Sequence, residues 1–91
     1  MYLMEEHYKA IEEMASLFFS PIDIADNLEI CEEEKEAFCA CISLKTGEVY
    51  RYFRRGRIRT EIELRNAVKM AAMNGSSPAQ NMMINFYKDS L

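Results

Sequence analysis

The chain has little of what catalysis and metal binding usually draw on. Its one histidine is His7, and no second base or ligand stands at a spacing that would pair with it. Cysteine occurs at 31, 39 and 41 only. Cys39-Ala40-Cys41 lacks the two-residue gap of redox and zinc motifs, and residues two apart on a helix point in different directions. There is no nucleophile–base set, no phosphate loop and no metal cluster, so the reading assigns no catalytic residue, no metal and no cofactor. The thiols read as free, reduced and buried, which fits a cytoplasmic location. No apolar run approaches the length of a membrane span, and the acidic, periodic start MYLMEEHYKA does not read as an export signal. No stretch reads as a strand pair, a repeat or a low-complexity tract.

Proline is almost absent too. Pro21 and Pro78 are the only two, and each stands where a helix is expected to begin. Ser20-Pro21-Ile22-Asp23 is a helix start, with serine as cap and an acid facing the exposed amides. Ser77-Pro78-Ala79-Gln80 reads as a capping box. Helices are predicted over 2–18, 21–28, 32–42, 46–73 and 78–88. An apolar fraction of 49% allows a modest core. The expected fold is therefore all-α, with about five helices. An acidic region over 1–45 precedes a helical hairpin over 46–91, a long basic helix and its antiparallel partner, expected to serve oligomerisation.

The long helix is the dominant element. Thr46 to Met73 holds seven of the eleven basic residues and no proline, and Asn74-Gly75 closes it. At about 1.5 Å per residue it would span about 40 Å, more than so small a core needs. At about 100° per residue, Val49, Phe53, Leu64, Ala67 and Ala71 form one core-facing stripe. Arg51, Arg54, Arg55, Arg65 and Lys69 lie opposite. Ile58 and Ile62 are one turn apart on the basic side, a pair that marks a second contact within the chain or with another subunit. Gly56, inside the helix, signals either a kink or a close approach.

Charge is split along the chain. Residues 1 to 36 hold eleven Asp or Glu against Lys9 and Lys35, whereas 37 to 91 hold nine Lys or Arg against Glu48, Glu61, Glu63 and Asp89. Such asymmetry implies a polyanion or an acidic partner for the second half, or packing of the acidic half on the basic helix. The residues expected to meet DNA are Lys45, Arg51, Arg54, Arg55, Arg57 and Arg59, whose cationic side chains suit phosphates.

Two stretches carry a family likeness. Ser20 to Ile30 looks like the first helix and turn of a helix-turn-helix, with Ala25 at the small packing position and Leu28 and Ile30 flanking the turn. Glu29 stands where that plan has glycine. The helix that would read bases begins Cys31-Glu-Glu-Glu-Lys-Glu36, and its glutamates oppose phosphates. Further on come Tyr50-Arg-Tyr-Phe-Arg-Arg-Gly-Arg57, Thr60-Glu-Ile-Glu-Leu-Arg65 and Ala72-Met-Asn-Gly-Ser-Ser-Pro-Ala-Gln80. Together, over roughly residues 15 to 88, these are similar to phage-derived terminase small subunits. The resemblance implies a non-enzymatic protein that recognises double-stranded DNA for packaging, assembles as a homo-oligomer and hands DNA to a motor, the large subunit. The residues also allow a different reading, a helical protein–protein interaction module that binds no nucleic acid, with Ile58 and Ile62 in a subunit interface.

Overall fold

The computed structural model describes residues 2–91. Five helices follow one another: α1 (Glu5–Ser16), α2 (Pro21–Asn27), α3 (Glu32–Ser43), α4 (Gly47–Met73) and α5 (Ser77–Asp89). No strand occurs among the described residues. No helix among them is long and apolar enough to cross a membrane. The chain divides into two compact units, Met1–Thr60 and Glu61–Leu91. The division falls inside α4, later than residue 45, because the first turns of α4 complete the core of the first unit.

Local chemistry explains where the helices begin. Ser20 caps α2 by accepting from the Asp23 amide at 3.3 Å, and Ser76 caps α5 by accepting from the Ala79 amide at 3.4 Å. The α5 cap is thus one residue earlier than expected. Gln80 does not fold back on the cap; its amide donates to the Ala72 carbonyl at 3.1 Å, tying α5 to the last turn of α4. α1 begins at Glu5, not Tyr2, because His7 Nδ1 accepts from the Met4 amide at 2.9 Å and closes the helix there.

The helix ends share one device. At Phe18, Glu29, Lys45 and Gly75 the backbone turns left-handed, with φ of 64°, 57°, 58° and 97°. At each, the residue's own amide and the next one reach back to carbonyls three and five residues earlier, as in Phe18 to Ala15 and Phe19 to Met14. This is the Schellman closure, and glycine is its usual occupant. Only the last of the four uses glycine.

In the first unit the core is Ile11, Ala15, Ile24, Ala25, Ile30, Phe38, Ile42, Val49 and Phe53. Ile11, Ile24 and Phe38 are fully buried, each contributing about 1.5–3 kcal/mol by leaving water. α1 crosses α4 at Gly56. A Cβ there would collide with the Glu12 carbonyl oxygen and lie 3.0 Å from the Ala15 Cβ, so Gly56 serves a close approach.

The expected core stripe of α4 holds only through its first turns. Val49 and Phe53 are buried, but Leu64 is half exposed and Ala67 exposed. In the second unit only α5 faces this part of α4, and Ala79 is the one buried residue among those described. Met83 and Phe86 are half-buried, whereas Met82 and Tyr87 are exposed.

Candidate functional site

The first half of α4 presents two different basic surfaces. One faces α1. Arg59 reaches Glu12 at 3.1 Å and Glu13 at 3.0 Å, and Arg55 reaches Glu12 at 3.6 Å. Arg57 donates to the Phe19 carbonyl at 3.0 Å, with its guanidinium 4.6 Å from the Phe53 ring centre and 5.5 Å from that of Phe18. The Thr60 hydroxyl donates to the Ser16 carbonyl at 2.5 Å. Helix ends leave carbonyls unpaired and carry partial negative charge, so these donors and cations suit the C-terminal end of α1. Tyr8 and Tyr52 stack at 5.1 Å beside them, and Arg55 lies 4.8 Å over Tyr52. Arg57 Nε is buried without a hydrogen-bond partner among the described residues.

The second surface is a shallow open groove of about 540 Å³. Tyr50 and Ile58, both half-buried, supply its apolar part, and Lys45, Arg51, Arg54 and Arg55 its charge. Helical spacing explains the grouping: 50, 54 and 58 succeed one another at i+4, with 51 and 55 alongside. Gly56, which meets α1, points to the opposite side of the helix on the same count. Arg51 pairs with Glu48 one turn earlier at 2.5 Å, an exposed contact of little worth. Lys45 and Arg54 make no ion pair among the described residues. Lys45 also occupies one of the left-handed closures, where a lysine costs roughly 1 kcal/mol or more against glycine.

Of the six cations expected to meet DNA, four therefore line one groove, while Arg57 and Arg59 are turned onto α1. Ile58 lines the same groove. Ile62 lies in the second unit and is half exposed. The floor residue Tyr50 was legible from its place beside the arginine cluster, as a ring that could sit against sugar or backbone, although the helical count set it at the edge of the core-facing stripe. The roles of Thr60 and Ser16 had no sequence signal, because they depend on where α1 crosses. The pairing of Glu12 and Glu13 with arginines of α4, by contrast, is the packing of the acidic half on the basic helix that the charge split allowed.

Between α2 and α3, Lys35 bridges Asp26 at 2.5 Å and Glu32 at 2.8 Å. Those hydrogen bonds, Asp26 first and Glu32 second, hold its ammonium well above the usual lysine range. Burial, with a smaller contribution from Asp26, pushes the neighbouring Cys39 thiol up. All three cysteines are free; Cys39 and Cys41 are half-buried, but Cys31 is exposed at the start of α3. Its exposure follows from its place as N-cap, outside the packed face of the helix. Among the described residues no group of three or more His, Cys, Asp or Glu could hold a metal ion. The outward side of α3 carries Glu33 and Glu36, exposed and without ion pairs among the described residues.

The second unit offers a different kind of surface. Leu64, Met70, Met73, Met82, Ile84 and Tyr87 are between 45% and 73% exposed on its two helices. Arg65 pairs with Glu61 at 2.7 Å and lies 4.2 Å over the Phe86 ring.

No protein-family model, curated protein or solved structure matches the chain.

Proposed function

We propose that the chain is a non-enzymatic assembly protein that works on double-stranded DNA in the manner of a phage or prophage terminase small subunit. The observation that carries this is the hairpin Glu61–Leu91, whose apolar side chains stay largely uncovered in a single copy. A helical pair this short buries too little to be stable alone, and large apolar side chains left uncovered along both of its helices offer surface to further copies. The acids Glu61, Glu63 and Asp89 balance Arg65, Lys69 and Lys88, so copies of the hairpin carry no net repulsion. In this reading the hairpin builds a homo-oligomer. The oligomer then repeats Lys45, Arg51 and Arg54 around itself, adding weak phosphate contacts into useful affinity. Delivery of the bound DNA to a motor protein in the cytoplasm belongs to the same reading and rests on the family likeness.

The test is solution mass by light scattering at low and high salt, with and without a random duplex. The expected result is a salt-resistant oligomer that gains mass with DNA, the gain fading as salt rises with a log–log slope of about −0.9 per phosphate neutralised. A monomer indifferent to duplex would overturn it.

A second reading is favoured by a specific observation. Arg57 and Arg59 are committed to α1, and α3 presents acids where a base-reading helix needs cations. On that reading the protein is a helical interaction module that binds no nucleic acid. The same experiment discriminates, since such a protein keeps its salt-resistant mass and ignores the duplex.

A further inference from the structure

The groove on α4 and the outward side of α3 have matching chemistry. Along α3, Glu33, Glu36, Ala37, Ala40 and Leu44 fall within roughly 100° of one another at helical spacing. Glu33, Glu36 and Ala37 are exposed, Ala40 half-buried, and Leu44 is 71% exposed. The surface is thus acidic at one end, smooth in the middle and apolar at the other end. It runs about 16 Å from Glu33 to Leu44 at the usual helical rise. The α4 groove has the opposite character. Lys45, Arg51, Arg54 and Arg55 ring Tyr50 and Ile58, and Gly47 to Ile58 covers the same eleven-residue rise of about 16 Å.

We propose that the groove of one copy receives the outward face of α3 from a second copy. Charge argues for this occupant. Among the described residues Glu33 and Glu36 have no ion pair, and neither do Lys45 and Arg54, so each set gains a partner of opposite charge. Shape argues for it too. Alanines at the centre of a helix face let a second helix come close, and the groove is open enough to accept one. Leu44 then leaves water against Tyr50 or Ile58, at whichever end the direction of α3 places it. Each copy carries both the helix and the groove. The contact can therefore be made twice across a two-fold axis or once, head to tail. It also gives the acidic α3 a purpose that duplex reading cannot and does not need the hairpin; because it uses Lys45, Arg51 and Arg54, it competes with duplex for the same cations.

The experiment is zero-length carbodiimide coupling of a lysine to a carboxylate, which forms an amide only between groups in contact. The chain carries Arg51→Lys and Arg54→Lys, which keep the groove's charge and add coupling amines; native Lys45 covers the opposite end. Labelled (¹⁵N) and unlabelled chains are mixed, and cross-linked peptides are identified by mass. The expected products join the groove lysines of one isotope to Glu33 or Glu36 of the other. They should exceed coupling of the same lysines to Asp89, an exposed acid of α5, and should fall about fivefold between roughly 50 and 500 mM salt as screening shortens the reach of the charges. Mixed-isotope products that are absent, or no more abundant than those to Asp89, overturn the proposal. Both substituted positions are exposed, and circular dichroism of the variant checks that its helices are intact.

Discussion

Gly56 decides how closely α1 and α4 can pack. Alanine is the better helix former by roughly 1 kcal/mol, so at a solvated position Gly56→Ala would stabilise. Here the added methyl meets the Glu12 carbonyl, part of a helix that cannot yield a single atom without shifting. Overpacking of this kind costs about 1–3 kcal/mol and sometimes more, which outweighs the propensity. Gly56→Ala should therefore lower the urea midpoint, and an unchanged or raised midpoint would show that α1 can slide aside. The left-handed residues predict the opposite sign. Glu29 has φ of 57° and no hydrogen bond or ion pair from its side chain among the described residues. Glu29→Gly should stabilise by about 0.5–1 kcal/mol, the relief of strain less the entropy that glycine adds to the unfolded chain. Lys45→Gly should give a similar gain in urea midpoint. In the DNA reading it should also weaken duplex retention, so a variant that is more stable and binds DNA as tightly would remove Lys45 from the site. The sequence marked Glu29 as an oddity at a turn-glycine position, and the structure gives that oddity a conformation. Gly56 was legible as special but ambiguous, because only the crossing helix distinguishes a kink from a close approach.

At the scale of the elements, the helices were readable because their boundaries are local chemistry. Ser20 with Pro21, and Asn74-Gly75, act within one turn of themselves. Which residues a helix buries is not local. The stripe through Val49 and Phe53 continues in sequence to Leu64 and Ala67, yet only its first part meets other helices. The arginines show the same limit: spacing put Arg55, Arg57 and Arg59 on or near a basic face, but α1 and the residues after it drew Arg57 and Arg59 to themselves and share Arg55 with the groove. The α2–α3 pair makes a prediction about pH. A thiol pushed up by burial stays protonated in the folded chain after the unfolded chain has lost its proton. Stability then falls as pH rises from the unfolded value of about 8.5 towards the folded one. Lys35 is also held up, so its contribution is complete below the unfolded lysine value of about 10.4 and is lost only above it, as pH rises through the raised value. Urea midpoints should accordingly be flat through neutral pH and begin to drop above about pH 8.5. Cys39→Ala should lower the midpoint at pH 7 by leaving a small void but flatten the first part of the alkaline drop. An equally steep drop in that variant would place its origin elsewhere.

For the whole molecule, the two units differ in how much of their apolar surface they cover themselves. The first closes a core from four helices. The second leaves Leu64, Met70 and Met73 on α4, and Met82, Ile84 and Tyr87 on α5, open to water. Ordinary surface apolar residues are scattered singly, whereas these recur along both helices of one hairpin. The charge balance of the hairpin permits copies to approach, and methionines adapt to a partner surface without demanding a unique fit. A charge placed in such an interface must be desolvated when copies associate, and it remains hydrated in the free chain. Leu64→Glu combined with Met70→Glu should thus lower the mass seen by light scattering while leaving the first unit folded. The two effects are separable, because the Ile11–Phe38–Phe53 core contains no residue of the hairpin. Near-complete helix content with a reduced mass would assign assembly to the hairpin. An unchanged mass would move assembly to the first unit, where the α3 face and the α4 groove provide the remaining complementary pair.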